Sequence, residues 1–271
     1  MKLLKLTAKV CFAFLEAKNE YLCSVQKVKD NNLRDVVTNL DYKLDDISRK
    51  FLEEYFENCN YLSEETYEKG EFYPIGENQW LVVDPLDGSL NHSLNSPNFG
   101  YMATLLNNGR ILGTTIVLPE HEQYIVMEDQ KILTANEIPS TDDTSNGTVY
   151  YAYSPNQKES EIQTRNELLE LIEKNSSGFY RYGSSCVGLY NFLCGKHKAF
   201  IGHKIRLWDA LAFLPILSKA EIDFHYCVEN NIITLIASRN EVFLCAIKKV
   251  MEKYEDLSFK NYKFEDGIVV V

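Results

Sequence analysis

The chain has 271 residues, which is enough for one large domain or two ordinary ones. Apolar residues make up 45% of it and charged residues 25%, as in an average globular protein, so wholesale disorder is excluded. With 28 Lys and Arg against 39 Asp and Glu, the formal net charge is −11. That charge disfavours duplex nucleic acid as a partner, but it leaves phosphate binding open where metal ions reverse the local sign.

The N-terminal sequence predicts an amphipathic helix rather than a signal peptide. Leu3, Leu6, Val10 and Phe14 fall at helical spacing, and charged residues interrupt any apolar core of a signal sequence. No run reaches the roughly 18 apolar residues of a membrane span. The seven cysteines contain no C-x-x-C pair, which is typical of small buried residues in a reducing compartment. We therefore expect a cytoplasmic protein that does not engage membranes.

Two helices are predicted near the start of the chain. The first is a helix or helix pair over residues 1–29, broken at Asn31. The second covers residues 41–58, where apolar and charged residues form opposite faces. Thr38 or Asn39 is the expected cap of this second helix, because short polar side chains bond the free amides of a first turn.

Three strands are predicted to follow. The apolar run over 80–83 is typical of a buried strand, and the Asp-Pro pair at 84–85 is expected to stop it in a turn. Residues 99–106 and 111–118 form an expected hairpin, since the connection 107–110 reads Asn-Asn-Gly-Arg.

The polar, turn-rich stretch 136–147 is the predicted boundary between two halves. Residues 1–140 would form an α+β half and residues 141–271 an α/β half. The second half alternates between strands and helices, which are expected at 148–153, 159–174, 178–182 and 184–194.

One short sequence combines the residue types of metal-assisted phosphoryl transfer. Asp84 and Asp87 stand three apart around a proline, directly after the buried strand, and Gly88 and Ser89 follow. Carboxylates suit hard cations, and the amides of Gly88 and Ser89 would bind an oxyanion if a helix begins at Ser89. An ordinary surface turn is the alternative interpretation of these six residues.

Three further acidic groups are ambiguous when each is taken alone. Glu64 and Glu65 follow a short apolar pair, which is also typical of a solvated loop. Asp209 stands before a strongly apolar segment and Asp41 opens the second helix, so both are candidate helix caps.

Together, these groups resemble the inositol monophosphatase family. The resemblance rests on Glu-Glu after a short strand, on D-P-L-D-G-S-L-N beginning at Asp84, and on the Trp-Asp pair that ends at Asp209. It covers roughly residues 30–220. The family belongs to a metal-dependent, lithium-sensitive phosphatase superfamily that also holds fructose-1,6-bisphosphatases and bisphosphate nucleotidases. The implied fold is a layered αβαβα sandwich of α+β and α/β halves, and a homodimer is expected.

The resemblance implies a set of metal ligands for two or three Mg²⁺ ions. Glu64 matches a bridging glutamate, and Asp84 matches an aspartate shared by two ions. The carbonyl of Leu86 matches a backbone ligand. Asp87 and Asp209 match the carboxylates of the second ion.

It also implies the residues that act on the substrate. Ser89 stands where the family has a hydroxyl that orients the attacking water, and Asp41 stands where an aspartate orients that hydroxyl, so Asp41, Glu64 and Ser89 are the implied catalytic residues. The amides of Gly88 and Ser89 would hold the phosphate.

A second segment resembles the family's substrate-binding turn. Gly183, Ser184 and Ser185 open a predicted helix in an R-x-G-S pattern, and they are expected either to contact the substrate or only to cap that helix.

The basic residues before Asp209 depart from the inositol-hydrolysing members. Gly202 stands where those members have a glutamate, and Lys204 and Arg206 follow it. These cations are expected to bind a second anionic group of the substrate, with a solvated loop as the alternative.

The expected function is therefore Mg²⁺-dependent hydrolysis of a phosphomonoester on a small sugar or polyol, including fructose 1,6-bisphosphate. A 3′(2′),5′-bisphosphate nucleotidase is one alternative. A catalytically weak family member that acts as a binding partner is another.

Overall fold

The computed structural model describes residues 1–20, 25–28, 36–68, 71, 73–138, 147–154 and 158–261. The elements of the N-terminal half are α1 (Leu3–Glu20), β1 (Val25–Val28), β2 (Val36–Thr38), α2 (Asn39–Tyr55), β3 (Cys59–Ser63), β4 (Gln79–Asp87), α3 (Ser89–Ser93), β5 (Gly100–Asn107), β6 (Arg110–Leu118), β7 (Gln123–Glu128) and β8 (Lys131–Thr134). Those of the C-terminal half are β9 (Thr148–Tyr153), α4 (Glu159–Asn175), β10 (Phe179–Tyr180), α5 (Ser185–Leu193), β11 (His197–Arg206), α6 (Leu214–Lys219), β12 (Phe224–Glu229), β13 (Ile232–Ser238), α7 (Glu241–Tyr254) and β14 (Lys260–Asn261).

Two six-stranded sheets and three helical layers alternate. The first sheet has the order β3-β4-β5-β6-β7-β8, and the second has the order β10-β9-β11-β13-β12-β14. Helices α1 and α2 cover the outer face of the first sheet through Leu6 and Leu44. Helix α5 and residues 207–217 fill the space between the sheets. Helices α4 and α7 cover the outer face of the second sheet through Leu168 and Ile247. The predicted αβαβα layering is confirmed.

The N-terminal helix is shorter than its sequence predicts. It ends at Glu20, and Val25–Val28 is a strand that pairs antiparallel with Val36–Thr38, so the prediction of helix up to residue 29 is wrong. The predicted break at Asn31 lies outside the described residues. Over the described ranges, no helix combines the length and apolar character that crossing a bilayer requires.

Helix α2 begins where its capping residues predict. Thr38 precedes the first helical residue, and its backbone amide and its hydroxyl each donate a hydrogen bond to Asp41 Oδ2, at 2.8 and 2.6 Å. The helix ends at Tyr55, three residues before the predicted end. The cap therefore also fixes the orientation of the Asp41 carboxylate.

Strand β4 is apolar on both faces because it lies between two helical layers. Alternate residues of 80–83 belong to the outer and the central apolar clusters. The prediction that a turn at 84–85 stops this strand is wrong, since β4 continues to Asp87. Its register against β5 shifts between Asp84 and Asp87, which is a bulge. Proline has no backbone N–H to donate, and a bulge needs no amide donor at that point, so Pro85 is accommodated inside the sheet.

The predicted hairpin forms with the geometry that its turn residues favour. Asn107 pairs with Arg110, and Asn108 and Gly109 have φ angles of 48° and 71°. Positive φ at both central positions defines a type I′ turn, which matches the twist of the flanking strands.

The predicted elements of the second half are also present. Strand β9 and helices α4 and α5 lie within one residue of their expected bounds, whereas the strand expected at 178–182 is reduced to Phe179–Tyr180. Most of the predicted boundary, residues 139–146, lies outside the described residues, so the division into halves stays a prediction.

A buried ionic cluster holds an irregular segment near the end of β11. Lys204 has a φ angle of 51°, and the register against β13 shifts between Gly202 and Ile205. The Lys204 ammonium lies 2.9 Å from carboxylate oxygens of both Glu161 and Glu255. Glu255 also accepts a 2.7 Å bond at Oε1 from the fully buried ring of His203. The cluster thus joins the bulge to the start of α4 and the end of α7.

This cluster predicts an acid-dependent loss of stability. Burial raises the pKa of Glu255, but His203 and Lys204 outweigh it and lower that pKa to about 2, against an ordinary value of 4.5. Because the folded pKa is depressed, the contribution is complete above pH 4.5 and is lost as pH falls toward 2. Glu255→Gln should lower the free energy of unfolding at both pH values. We expect this loss to be about 2 kcal/mol smaller at pH 3 than at pH 6.

Urea unfolding of both proteins at the two pH values measures this difference. Glu167→Gln is the control, since Glu167 pairs with Lys253 at a solvent-accessible site and should give a much smaller pH dependence. A pH-independent effect of Glu255→Gln contradicts the assignment.

Candidate active site

A cavity of about 490 Å³ opens where the ends of several elements meet. Strand β4 and helix α3 supply one wall, the segment before α5 supplies another, and single carboxylates come from residues that follow β3 and β11. The lining residues are Val36, Glu64, Asp84, Leu86, Asp87, Gly88, Ser89, Leu90, Asn91, Arg181, Tyr182, Gly183 and Asp209.

Asp41 and Ser89 form a hydrogen-bonded pair at this cavity. The Ser89 hydroxyl donates to Asp41 Oδ1 at 2.6 Å and lies 2.8 Å from the carbonyl oxygen of Leu86. Asp41 is buried, and its other oxygen is held by Thr38. The hydroxyl is therefore fixed in one orientation by a carboxylate that is itself fixed.

The backbone at Gly88 has no room for a side chain. Its φ angle is 93°, and a Cβ atom there would lie 2.6 Å from the carbonyl oxygen of Asn98 and 3.2 Å from Ser184 Cβ. Helix α3 begins at the next residue, which was the condition for an anion site at Gly88 and Ser89, and it is only five residues long. The glycine therefore allows β4 to turn into α3 directly beside α5.

Asp87 is held by the first turn of α5. Its Oδ2 accepts a 2.7 Å bond from the Ser184 hydroxyl and a 2.6 Å bond from the amide of Cys186. Burial raises the pKa of Asp87 to about 6, although these hydrogen bonds favour the ionised form and lower it. The helix thus partly compensates the burial of this carboxylate.

The burial of the Asp84 and Asp209 carboxylates is offset by fewer hydrogen bonds than that of Asp87. Burial raises the pKa of Asp84 well above its ordinary range, and the neighbouring charges of Glu64 and Asp87 raise it further. Its Oδ1 is buried and accepts no hydrogen bond from the described residues. Burial and then the charge of Asp87 likewise raise the pKa of Asp209, which is opposed by a 3.2 Å bond from the Arg206 amide. The cavity therefore concentrates negative charge beyond what its own donors satisfy.

This donor set has the chemistry of a hard-cation site. Four carboxylates line one cavity, and oxygen ligands of this kind are those that Mg²⁺ and Ca²⁺ prefer. Within the described ranges, no three Asp, Glu, His or Cys groups converge closely enough to chelate one ion. Asp84 Oδ1 is buried beside this cavity and has no hydrogen-bond partner among the described residues, so the donor set fits such a cation.

The residues predicted to bind substrate divide into two groups. Gly183 lines the cavity. Ser184 is buried and caps α5 by accepting a 3.2 Å bond from the Val187 amide, and Ser185 is buried as the first residue of that helix. Neither serine lines the cavity.

The two predicted cations also lie outside the cavity lining. Lys204 is engaged by Glu161 and Glu255. The Arg206 guanidinium lies 4.7 Å from the centre of the Tyr67 ring, and its amide bonds Asp209. Gly202 lies within β11, and a Cβ atom there would lie 2.6 Å from Ile205 Cδ1, so its position is packed.

Three residues of the site were not singled out by the sequence analysis as site residues. Thr38 was considered only as a helix cap, yet it also orients Asp41. Asn91 Nδ2 bonds the carbonyl oxygens of Asn98 and Tyr182, at 2.7 and 2.8 Å. Arg181 lines the cavity, and its place in the R-x-G-S pattern was the signal available in the sequence.

Comparison with known sequences establishes the family. The model of the inositol monophosphatase family matches residues 4–225, which is most of the chain. The chain therefore belongs to the inositol monophosphatase family, as its motifs predicted.

Individual relatives carry two kinds of name. The chain is 22% identical over 200 residues to a fructose-1,6-bisphosphatase/inositol-1-monophosphatase of Thermotoga maritima, covering 71% of this chain and 72% of that protein. It is 24% identical over 148 residues to the Nus factor SuhB of Xylella fastidiosa, covering 51% of this chain and 52% of that protein. The alignment thus spans about half the length of the second relative.

Solved structures confirm the fold. An IMPase of Thermotoga maritima superposes with a TM-score of 0.70 at 20% identity, covering 93% of this chain and 97% of that one. The suhB protein of Bartonella henselae gives 0.71 at 19% identity, covering 93% and 99%. An IMPase/NADP phosphatase complexed with NADP and Ca²⁺ gives 0.71 at 15% identity, covering 91% and 93%. At these identities the likeness shows the fold alone.

The uncompensated carboxylate predicts that Asp84→Asn stabilises the protein in a chelating buffer at pH 8. The pKa of the Asp84 carboxyl is higher in the folded protein than in the unfolded chain, so this group favours the folded state at low pH. That contribution is lost as pH rises through the folded-state pKa. At pH 8 the ionised carboxylate is therefore a net cost that asparagine removes. We expect Tm to rise by roughly 2–4 °C for each kcal/mol recovered.

Differential scanning calorimetry in EDTA measures the shift. The matched control is Asp46→Asn, because Asp46 is an exposed aspartate paired with Lys50, and its Tm should change much less. An unchanged or lower Tm for Asp84→Asn shows that the cavity tolerates its charge.

Proposed function

We propose that this protein hydrolyses a phosphomonoester of a small sugar or polyol with the help of two or three Mg²⁺ ions. The observation that carries the proposal is a cavity in which four carboxylates and a serine held by Asp41 face the same space. Acidic residues of this number repel a phosphate unless cations intervene. A cavity of about 490 Å³ suits a small phosphorylated molecule.

Glu64, Asp84, the carbonyl of Leu86, Asp87 and Asp209 are the proposed ligands. Asp84 is the central one, since its buried Oδ1 has no donor among the described residues. When bound, the cations supply Lewis-acid stabilisation of the phosphoryl oxygens and offset the charge of the carboxylates. They also favour the ionised form of Asp84 and Asp209, whose pKa values burial raises.

Asp41 and Ser89 are proposed to orient the attacking water. The Ser89 hydroxyl donates its hydrogen bond to Asp41, so its oxygen remains an acceptor for a water hydrogen. Thr38 donates twice to Asp41 and prevents that carboxylate from turning away. Orientation by fixed groups of this kind reduces the entropy lost on reaching the transition state. The amides of Gly88 and Ser89 are the proposed donors to the phosphate.

The wider assignments are part of the same proposal. We place the site between an α+β half, residues 1–140, and an α/β half, residues 141–271, of a cytoplasmic homodimer. A catalytically weak binding partner is the second candidate, and the similarity to SuhB supports it. The retained carboxylates favour the enzyme, since a binding surface gains nothing from their mutual repulsion.

Asp84→Asn should abolish phosphate release while the protein stays folded. Loss of the central carboxylate removes charge where cations are needed most. Phosphate release is measured in saturating Mg²⁺ over inositol 1-phosphate, fructose 1,6-bisphosphate and 3′-phosphoadenosine 5′-phosphate. Calorimetry with Mg²⁺ gives a second readout, in which Tm should rise for the natural protein and much less for the variant. Near-normal turnover of Asp84→Asn argues against the ligand set.

Ser89→Ala should lower kcat far more than it raises KM, because an orienting hydroxyl acts mainly in the transition state. Ser89→Thr keeps the hydroxyl and should retain much of the activity. Steady-state kinetics of both variants test the role. Small and equal effects on kcat would reduce Ser89 to a structural residue at the start of α3.

A further inference from the structure

Two of the carboxylates reach the cavity from different sheets. Glu64 directly follows β3 of the first sheet, and Asp209 comes three residues after Arg206, the last residue of β11 in the second sheet. The charge of Glu64 raises the pKa of Asp209, so the two groups are close enough to repel each other. A contact that joins their two segments therefore opposes the separation that this repulsion favours.

Tyr67, Arg206 and Trp208 make such a contact, and we call them the guanidinium–aromatic cluster. The Arg206 guanidinium lies 4.7 Å from the centre of the Tyr67 ring and 5.9 Å from that of Trp208. The two rings meet edge to face, with their centroids 5.3 Å apart. Arg206 Nη1 also donates a 3.3 Å bond to the Tyr67 hydroxyl. A cation over an aromatic face is attracted by the ring quadrupole, and the attraction is stronger where water is partly excluded.

Short backbone connections link this cluster to both carboxylates. On the side of Glu64, the amide of Tyr67 donates a 2.9 Å bond to the carbonyl oxygen of Ser63, which closes a tight turn around Glu64. On the other side, the amide of Arg206 donates a 3.2 Å bond to Asp209 Oδ2. A movement of either segment would therefore be transmitted to the carboxylate beside it.

We propose that Tyr67 and Arg206 are positioning residues whose contact holds Glu64 and Asp209 together, so that divalent cations bind more tightly. The inference rests on the proposed function and its ligand set. It gives Arg206 a role at the metal site through Tyr67 rather than a direct contact with the substrate.

The sign of the effect separates this role from a purely electrostatic one. The Arg206 charge lowers the pKa of Asp209, and a positive charge beside a cation site disfavours cation binding. If Arg206 acted only through its charge, Arg206→Gln would tighten Mg²⁺ binding. If Arg206 holds the two segments together, its loss lets the carboxylates move apart, and Mg²⁺ binds more weakly.

Calorimetric titration with Mg²⁺ alone, without substrate, measures this difference. We expect the Kd for Mg²⁺ to rise by about tenfold in both Tyr67→Leu and Arg206→Gln, as for the loss of a partly buried contact between a cation and a ring. Tyr67→Phe keeps the ring and should stay within about twofold of the natural protein. An Arg206→Gln Kd that is unchanged or lower overturns the proposal.

The double variant tests whether the two side chains act through one another. In Tyr67→Leu the contact is already lost, so adding Arg206→Gln should weaken Mg²⁺ binding no further and should leave only the tightening due to the lost charge. Additive weakening by the two substitutions contradicts a shared role.

Arg49→Gln is the matched control. The Arg49 guanidinium lies 4.6 Å from the centre of the Tyr61 ring, and both residues lie outside the cavity lining, so this substitution should leave the Kd for Mg²⁺ unchanged. The Tm of each variant in EDTA shows that it is folded. Weakening by Arg49→Gln equal to that by Arg206→Gln overturns the proposal.

Kinetics distinguish this inference from the proposed function. In Arg206→Gln the Mg²⁺ concentration for the half-maximal rate should rise, whereas KM for the substrate at saturating Mg²⁺ should not. A higher substrate KM with unchanged Mg²⁺ affinity contradicts positioning and places Arg206 at the substrate. If the natural protein binds Mg²⁺ but releases no phosphate from any substrate, the proposed function fails, and the Kd values still decide the role of Tyr67 and Arg206. Absence of Mg²⁺ binding by the natural protein overturns both.

Discussion

The structure of this site depends on the repulsion among carboxylates that share a buried cavity. These carboxylates come from β4, from α2 and from the residues that follow β3 and β11, and each would be more stable in water. The fold offsets that cost where it has donors: the first turn of α5 bonds Asp87, and Thr38 and Ser89 bond Asp41. It leaves Oδ1 of Asp84 without a donor among the described residues. The five packed layers supply the rigidity that keeps these groups close together, because close-packed apolar interiors resist the small shifts that would relieve the repulsion.

Local sequence predicted the elements whose signals are local. The type I′ hairpin followed from Asn108 and Gly109, and the start of α2 followed from Thr38, since both depend on residues adjacent in the chain. Strand β1 was missed because its partner, Val36–Thr38, supplies the hydrogen bonds that make it a strand. The continuation of β4 through Pro85 was missed for a similar reason, since the bulge that accommodates the proline is defined by the neighbouring strand.

The difference between local signals and contacts made by distant residues applies to the site as well. The six residues from Asp84 to Ser89 and the distant Asp41 and Asp209 were predicted as one site from their motifs, and the structure brings them to one cavity or bonds them to it. The positions of the cations were not predictable in this way. Spacing along the chain put Lys204 near Asp209, but the bulge in β11 and the carboxylates of Glu161 and Glu255 hold it in a separate cluster. Arg181 reaches the cavity through β10, whose pairing with β9 has no local signature.

The missing side chain at Gly88 has a mechanical consequence. At this point the loop after β4 touches the backbone at Asn98 on one side and the first turn of α5 on the other, at distances that leave no room for even a methyl group. A side chain at this position would therefore push the end of β4 away from the first turn of α5. Because Asp87 on β4 is bonded by Ser184 and by the amide of Cys186, such a displacement would also disturb the hydrogen bonds that hold this carboxylate.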